Sequence, residues 1–187
     1  MTAPTRLAAS AADPRLFELL AREGFGEDVF NERQHASCEF VELYVVQLAL
    51  RLLEELDLTR DLAEARSVDE LVARHGFPDA FRAPLAWLLA FLAQSGALGV
   101  AGAAAARYRF TGPAPAADPD AVREAAMATD PSYAPTYAML ARAAAAYGEI
   151  ARGEDTAEQA LFQNVGLWIG YFSNANGYYA LSNRVAA

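Results

Sequence analysis

Between residues 40 and 110 the apolar positions change period several times. Residues 40–56 place Phe40, Leu43, Tyr44, Val46, Leu48, Leu50, Leu53 and Leu56 at the three- and four-residue spacings of a helix. A second helix is predicted to open at Ser67-Val68-Asp69-Glu70, where an S-x-x-E capping box lets Ser67 and Glu70 satisfy orphan backbone donors reciprocally. A third spans about residues 80–94 and stops before Gly96, a residue suited to a helix C-terminus. Then come Leu98-Gly99-Val100, a tip of small residues at 101–106, and Arg107-Tyr108-Arg109-Phe110, whose polar and aromatic positions alternate as in a strand. Three helices followed by a two-stranded hairpin form a winged-helix pattern.

On either side the pattern is helical. Residues 1–12 are expected to be a frayed terminus. Asp13-Pro14 opens a short helix closed by Gly24, and another helix starts near Glu27 and merges into the one at 40–56. Residues 57–66 read as a charged connector. Pro113, Pro115 and Pro119 make residues 111–119 a linker. Asp118 then caps a helix to about Thr129, Pro131 and Pro135 break it, and residues 136–151 form the next. Thr156 and Gln159 offer a second capping box for a helix through Phe162. The expected fold is mainly α, in three parts. Residues 1–35 form an N-terminal helical extension, 36–112 a winged-helix-like subdomain with a small β-hairpin, and 113–187 a helical lid with a terminal lead-in helix.

Composition narrows the partners. The net charge is −9, and all 15 cationic residues are Arg. Residues 36–66 alone hold seven acidic residues against three Arg. Such a chain is repelled by nucleic acid and by anionic membranes. The third helix offers Arg82 but is otherwise dominated by Phe81, Leu85, Trp87, Leu88, Leu89, Phe91 and Leu92, which lack donors for base edges. Its apolar face suggests packing on a partner domain. Residues 40–56 are too short and too often charged to span a bilayer. Cys38 stands alone, so no internal disulfide forms, and no signal peptide is visible in residues 1–12; a cytoplasmic location is expected.

Few residues suggest chemistry. His35 and Cys38 lie three apart, but two ligands do not make a metal site and a lone helical Cys is commonly a small core residue. His75 sits where a helix dipole favours it. Gly24-Phe25-Gly26 lacks the strand and third glycine of a phosphate loop. No catalytic residue and no metal ligand is assigned. The last stretch differs: Tyr171, Asn174, Asn176, Tyr179 and Asn183 cluster amides and phenols along one segment, a combination suited to a small ligand with polar and apolar parts.

The segments Tyr44-Val45-Val46-Gln47-Leu48-Ala49-Leu50, residues 67–76, Gln94-Ser95-Gly96-Ala97-Leu98 and Arg107–Thr111 resemble the N-terminal winged-helix domain of class I S-adenosylmethionine-dependent methyltransferases. The C-terminal run from Leu167 to Ala187 is similar to the lid and lead-in helix of the polyketide synthase type, including those of GNAT-like loading modules. The resemblance implies the substrate-binding and lid region of a methyltransferase acting on a small molecule or a carrier-bound acyl group. Tyr171, Asn174, Asn176, Tyr179 and Asn183 would then line the cofactor or acceptor side. The Gly-rich strand and turn that hold S-adenosylmethionine in that family have no counterpart in these residues. The chain alone is therefore expected to be inactive and not to bind that cofactor tightly. Expected partners are a methyltransferase core or neighbouring synthase domain, an acyl carrier protein, or a second copy of the chain. A non-catalytic adaptor of a loading module and a winged-helix transcription regulator are the alternatives.

Overall fold

The structure, a computed structural model, describes residues 14–25, 31–102 and 105–186. The expected frayed terminus, the helix start near Glu27, the Gly26 end of the candidate phosphate loop and part of the hairpin tip lie outside the described residues. Helix α1 covers Pro14–Arg22 and α2 Glu32–Glu55; Asn31 caps α2 by accepting a hydrogen bond from the Gln34 amide. As the expected merger requires, α2 runs unbroken through residue 40, with 24 residues.

The end of α2 departs from the charged connector that composition suggests. Asp57 takes a left-handed conformation with φ 57°. The Leu58 amide then bonds back to Leu53 O at 2.8 Å and the Asp57 amide to Glu54 O at 3.1 Å, the paired bonds of a Schellman motif. This reversal drives Leu58 and Leu62 into the interior, where both are fully buried. The charges between them are used as well. Asp61, nearly buried, accepts from Arg74 at 2.9 Å and pairs with the His75 ring at 2.7 Å.

Strand β1 (Arg66–Ser67) follows, then α3 (Val68–His75), α4 (Arg82–Gln94), β2 (Leu98–Ala101) and β3 (Arg107–Phe110). The capping box at Ser67 and Glu70 forms as predicted, and Gly76, at φ 67°, closes α3. The hairpin gains a third strand: β1 pairs antiparallel with β3, giving the order β1-β3-β2. Two residues carry too little pattern to announce a strand. Arg107 secures the junction by donating to Ala65 O and to the Glu70 carboxylate, each at 2.9 Å. Much of the apolar face of α4 is spent inside the chain: Leu85, Leu88, Leu89 and Leu92 are buried in a core shared with α2 and α3, while Trp87 on the same helix stays exposed.

Helices α5 (Pro119–Thr129) and α6 (Ala134–Ala151) pack along α2. The Asp118 amide donates to Gln47 Oε1 at 2.8 Å, and Arg51 pairs with Asp120 at 2.8 Å. Pro135 lies in the first turn of α6, so it starts that helix rather than breaking one. Helices α7 (Ala157–Phe162), α8 (Val165–Phe172) and α9 (Gly177–Ala186) complete the described chain. Only half of the second capping box forms. Thr156 Oγ1 accepts from the Gln159 amide, but the Thr156 amide is taken by Asp155. Among the described residues, no helix is long and apolar enough to cross a membrane.

A non-glycine residue in the left-handed region carries a steric cost that glycine escapes. Asp57→Gly is therefore expected to raise the unfolding free energy by about 0.5–1 kcal/mol. Urea denaturation of the two proteins measures it, and an unchanged midpoint would show that the Asp side chain compensates its own strain.

Candidate functional site

An open groove runs beside the middle of α2. Its floor is Val41, Val45 and Val46; Phe91 and Gln94 of α4, with Ser95 just past its end, form one bank. Thr136 and Leu140 of α6 form the other, and Tyr171 of α8 and Tyr178 of α9 close the end. Its volume is about 510 Å³. Most of the lining is apolar, with hydroxyls and one carboxylate, Glu42, at the rim. That balance suits a small ligand with one hydrogen-bonding end.

The aromatic end is held by an amide. Asn176 is completely buried between α8 and α9. Its Nδ2 donates to Tyr171 O at 2.6 Å, and its Oδ1 accepts from Thr136 Oγ1 at 3.0 Å and from the Tyr178 amide at 3.3 Å. One side chain thereby ties the α8–α9 turn to the start of α6. Asn183 makes a second tie, donating from Nδ2 to Phe172 O at 3.0 Å and to Asn174 Oδ1 at 2.8 Å. Tyr179 stands edge-on to both Tyr171 and Phe172, at 4.8 Å between ring centroids in each case. Gly177 allows this packing: a Cβ there would overlap Ser132 Oγ and the Tyr133 ring.

All five residues singled out from the sequence therefore meet at one hairpin. Their geometry narrows what they can do. Asn176 is sealed, and both its polar atoms are committed inside the chain, so it has nothing to offer a cofactor directly. Asn183 spends its amide hydrogens on Phe172 and Asn174. Tyr171 is the one of the five that lines the groove. Burial, and then its hydrogen bond with Tyr179, push its phenol up to about 12. The five do not by themselves form a cradle for a nucleotide-like group. The spacing of Tyr179 and Asn183 in a helix gave no hint of Thr136, whose role depends on a residue 40 positions away.

His35 and Cys38 are held by different partners. The His35 ring faces Glu39 at 3.4 Å on the exposed side of α2. The Cys38 thiol is pushed up by burial, with Glu42 adding to the rise and a hydrogen bond to Tyr133 opposing it. It is a protonated thiol at neutral pH and a poor nucleophile. Among the described residues, no three His, Cys, Asp or Glu side chains stand close enough to hold a metal ion. Arg82 on α4 is engaged by Asp69 and Asp79, and Arg107 by Glu70, so these cations are already neutralised.

A crystal structure of the selenomethionine-substituted CurJ carbon methyltransferase shares this fold, with a TM-score of 0.70 and 16% sequence identity. The match covers 89% of this chain and 44% of that one, so the chain corresponds to less than half the length of its structural neighbour. No family model matches the sequence, and no curated protein does.

Asn176→Ala leaves the Thr136 hydroxyl and the Tyr171 carbonyl without their partner in a dry site, and should cost about 2–3 kcal/mol. Asn183→Ala, nearer the surface, should cost less than ~1 kcal/mol. Chemical denaturation of both variants checks the ranking, and equal losses would contradict it.

A pH dependence follows from the phenols. Burial raises Tyr137 to about 12, and Tyr171 is raised similarly, against an ordinary value of 10. The protonated forms favour the fold. Their contribution is complete below about pH 10 and is lost as the pH rises through the folded values. Thermal melts should fall steeply between pH 10 and 12, and Tyr137→Phe should flatten that fall. An identical alkaline profile in the variant would rule Tyr137 out as the cause.

Proposed function

We propose that this chain is the N-terminal substrate-binding and lid region of an S-adenosylmethionine-dependent methyltransferase of polyketide biosynthesis. The reading is supported by one observation above all. Nearly the whole chain superimposes on less than half of a carbon methyltransferase, and what the match leaves over in that protein exceeds what it covers. In this reading, residues 36–112 are the winged-helix-like part and 113–187 the lid. The cofactor is held by a separate Rossmann-like core, where methyl transfer is performed. The present chain supplies the acceptor groove: Tyr171 at its wall, Tyr179 behind that, and Asn174, Asn176 and Asn183 fixing the hairpin. No cofactor contact is assigned to these residues, because their polar atoms are largely committed to one another.

The surface of α8 supports the same reading. Val165, Ile169 and Phe172, with Phe162 of α7, are 48–67% exposed on a helix that contains no charged residue and buries none. A continuous apolar strip of that kind marks a surface meant to be covered. The same strip is also what a non-catalytic adaptor of a synthase would present to its neighbour domain, and this is the second reading.

The chain alone should show no calorimetric binding of S-adenosylmethionine at micromolar concentrations and no methyl transfer. Methylation should appear only when a cofactor-binding core is supplied. Tight cofactor binding by the 187-residue chain itself would overturn the assignment. A supplied core that associates without activity would favour the adaptor.

A further inference from the structure

Val45 and Leu140 line both the groove beside α2 and a second, smaller lobe between α2, α4 and α6. This lobe has about 140 Å³ of space, and its walls are Leu48, Leu52, Leu88, Ala143, Ala144 and the ring of Tyr147. Trp87 stands at its edge, 54% exposed, stacked on Phe91 at 5.3 Å and tilted toward Tyr147 at 6.3 Å. The two lobes differ in character. The first carries Glu42, Gln94, Ser95, Thr136 and Tyr178 around its rim, whereas almost every atom facing the second is carbon.

We infer that the two lobes form one binding site for an uncharged amphiphile with a compact apolar end. The outer lobe is the groove assigned above to the acceptor, so the inference names the chemistry of that ligand, while its binding test needs no catalytic core and can fail or succeed separately from methyl transfer. Size sets the apolar end. An apolar cavity of ~150 Å³ accepts one benzene, so the inner lobe takes a single ring or a branched alkyl group of similar bulk. The dry walls exclude polar substituents from it, since each would be left without a hydrogen-bond partner. Charge sets the other end. Glu42 at the rim, on a chain of net charge −9, opposes a carboxylate or phosphate head. The Gln94 amide and the Tyr178 hydroxyl beside it can serve a neutral one, whereas Ser95 and Thr136 already donate within the chain. The alanines at 143 and 144 are what keep the inner lobe open: a longer side chain at either would occupy it.

The test uses two probes of one shape, 4-phenylbutan-1-ol and 4-phenylbutanoate. Trp87 and Trp168 are the only tryptophans, so Trp168→Phe makes Trp87 fluorescence a reporter at the lobe itself. The alcohol should bind saturably and shift Trp87 emission. The carboxylate should bind on the order of three- to tenfold more weakly. Glu42→Gln should remove most of that difference, read as the ratio of the two affinities in the variant against the parent. Ala143→Leu and, as a second filling variant, Ala144→Leu should abolish the alcohol's effect, with thermal melts confirming that each is folded. Two results would overturn the inference: no saturable binding of the alcohol up to its solubility, or binding that survives in a folded filling variant. Equal affinity for the two probes would overturn the charge selection.

Discussion

Everything in this fold leans on α2, because one helix has to serve two interiors. Its C-terminal half gives Ala49, Leu50, Leu52 and Leu53 to the core built with α3, α4 and the sheet. Its N-terminal half gives Val41 and Tyr44 to a second cluster with Ala126, Tyr133 and Tyr137. A helix of 24 residues is roughly 36 Å long, so the two clusters are separated along its axis as well as around it. The groove opens between the two clusters, with Val41 of one and Val46, packed against the other, both in its floor. It is a product of this division of labour, and its floor is as rigid as the helix that forms it.

Rigidity at the other end has a different source. Helices α8 and α9 bury few apolar side chains, and α8 buries none. They are held by a polar clamp. Asn176 converts three backbone and side-chain groups from three helices into one sealed network, and networks of this kind specify a single arrangement because a partial one is costly. The edge-on contacts among Tyr171, Phe172 and Tyr179 then fix the rings that the clamp has brought together.

What could be read from the sequence follows the range of each interaction. The capping box at Ser67 and Glu70 and the Asp118 cap depend on neighbours within a few positions, and the residues name themselves. Strand β1 was hidden because its two residues pair with a partner about 40 positions away. The burial of Leu58 and Leu62 was hidden because a left-handed Asp, rather than the usual Gly, turns the chain after α2. The amide-and-aromatic cluster was visible as composition, and all five of its members do meet. Whether each faces inward or outward could not be seen, since it depends on Thr136 and on the approach that Gly177 permits. The groove itself is the least legible feature, being assembled from five helices with no shared motif.

The bare surface of α8 has a thermodynamic consequence. With no charged group in the strip, whatever covers it gains little from ions, so the contact should be nearly indifferent to salt. Its strength would come from released water alone, which makes it weaken on cooling rather than on dilution with electrolyte. On an acidic chain that repels anionic surfaces at long range, this patch is a place where short-range adhesion takes over. An assembly made through it would be selected by shape and held by temperature.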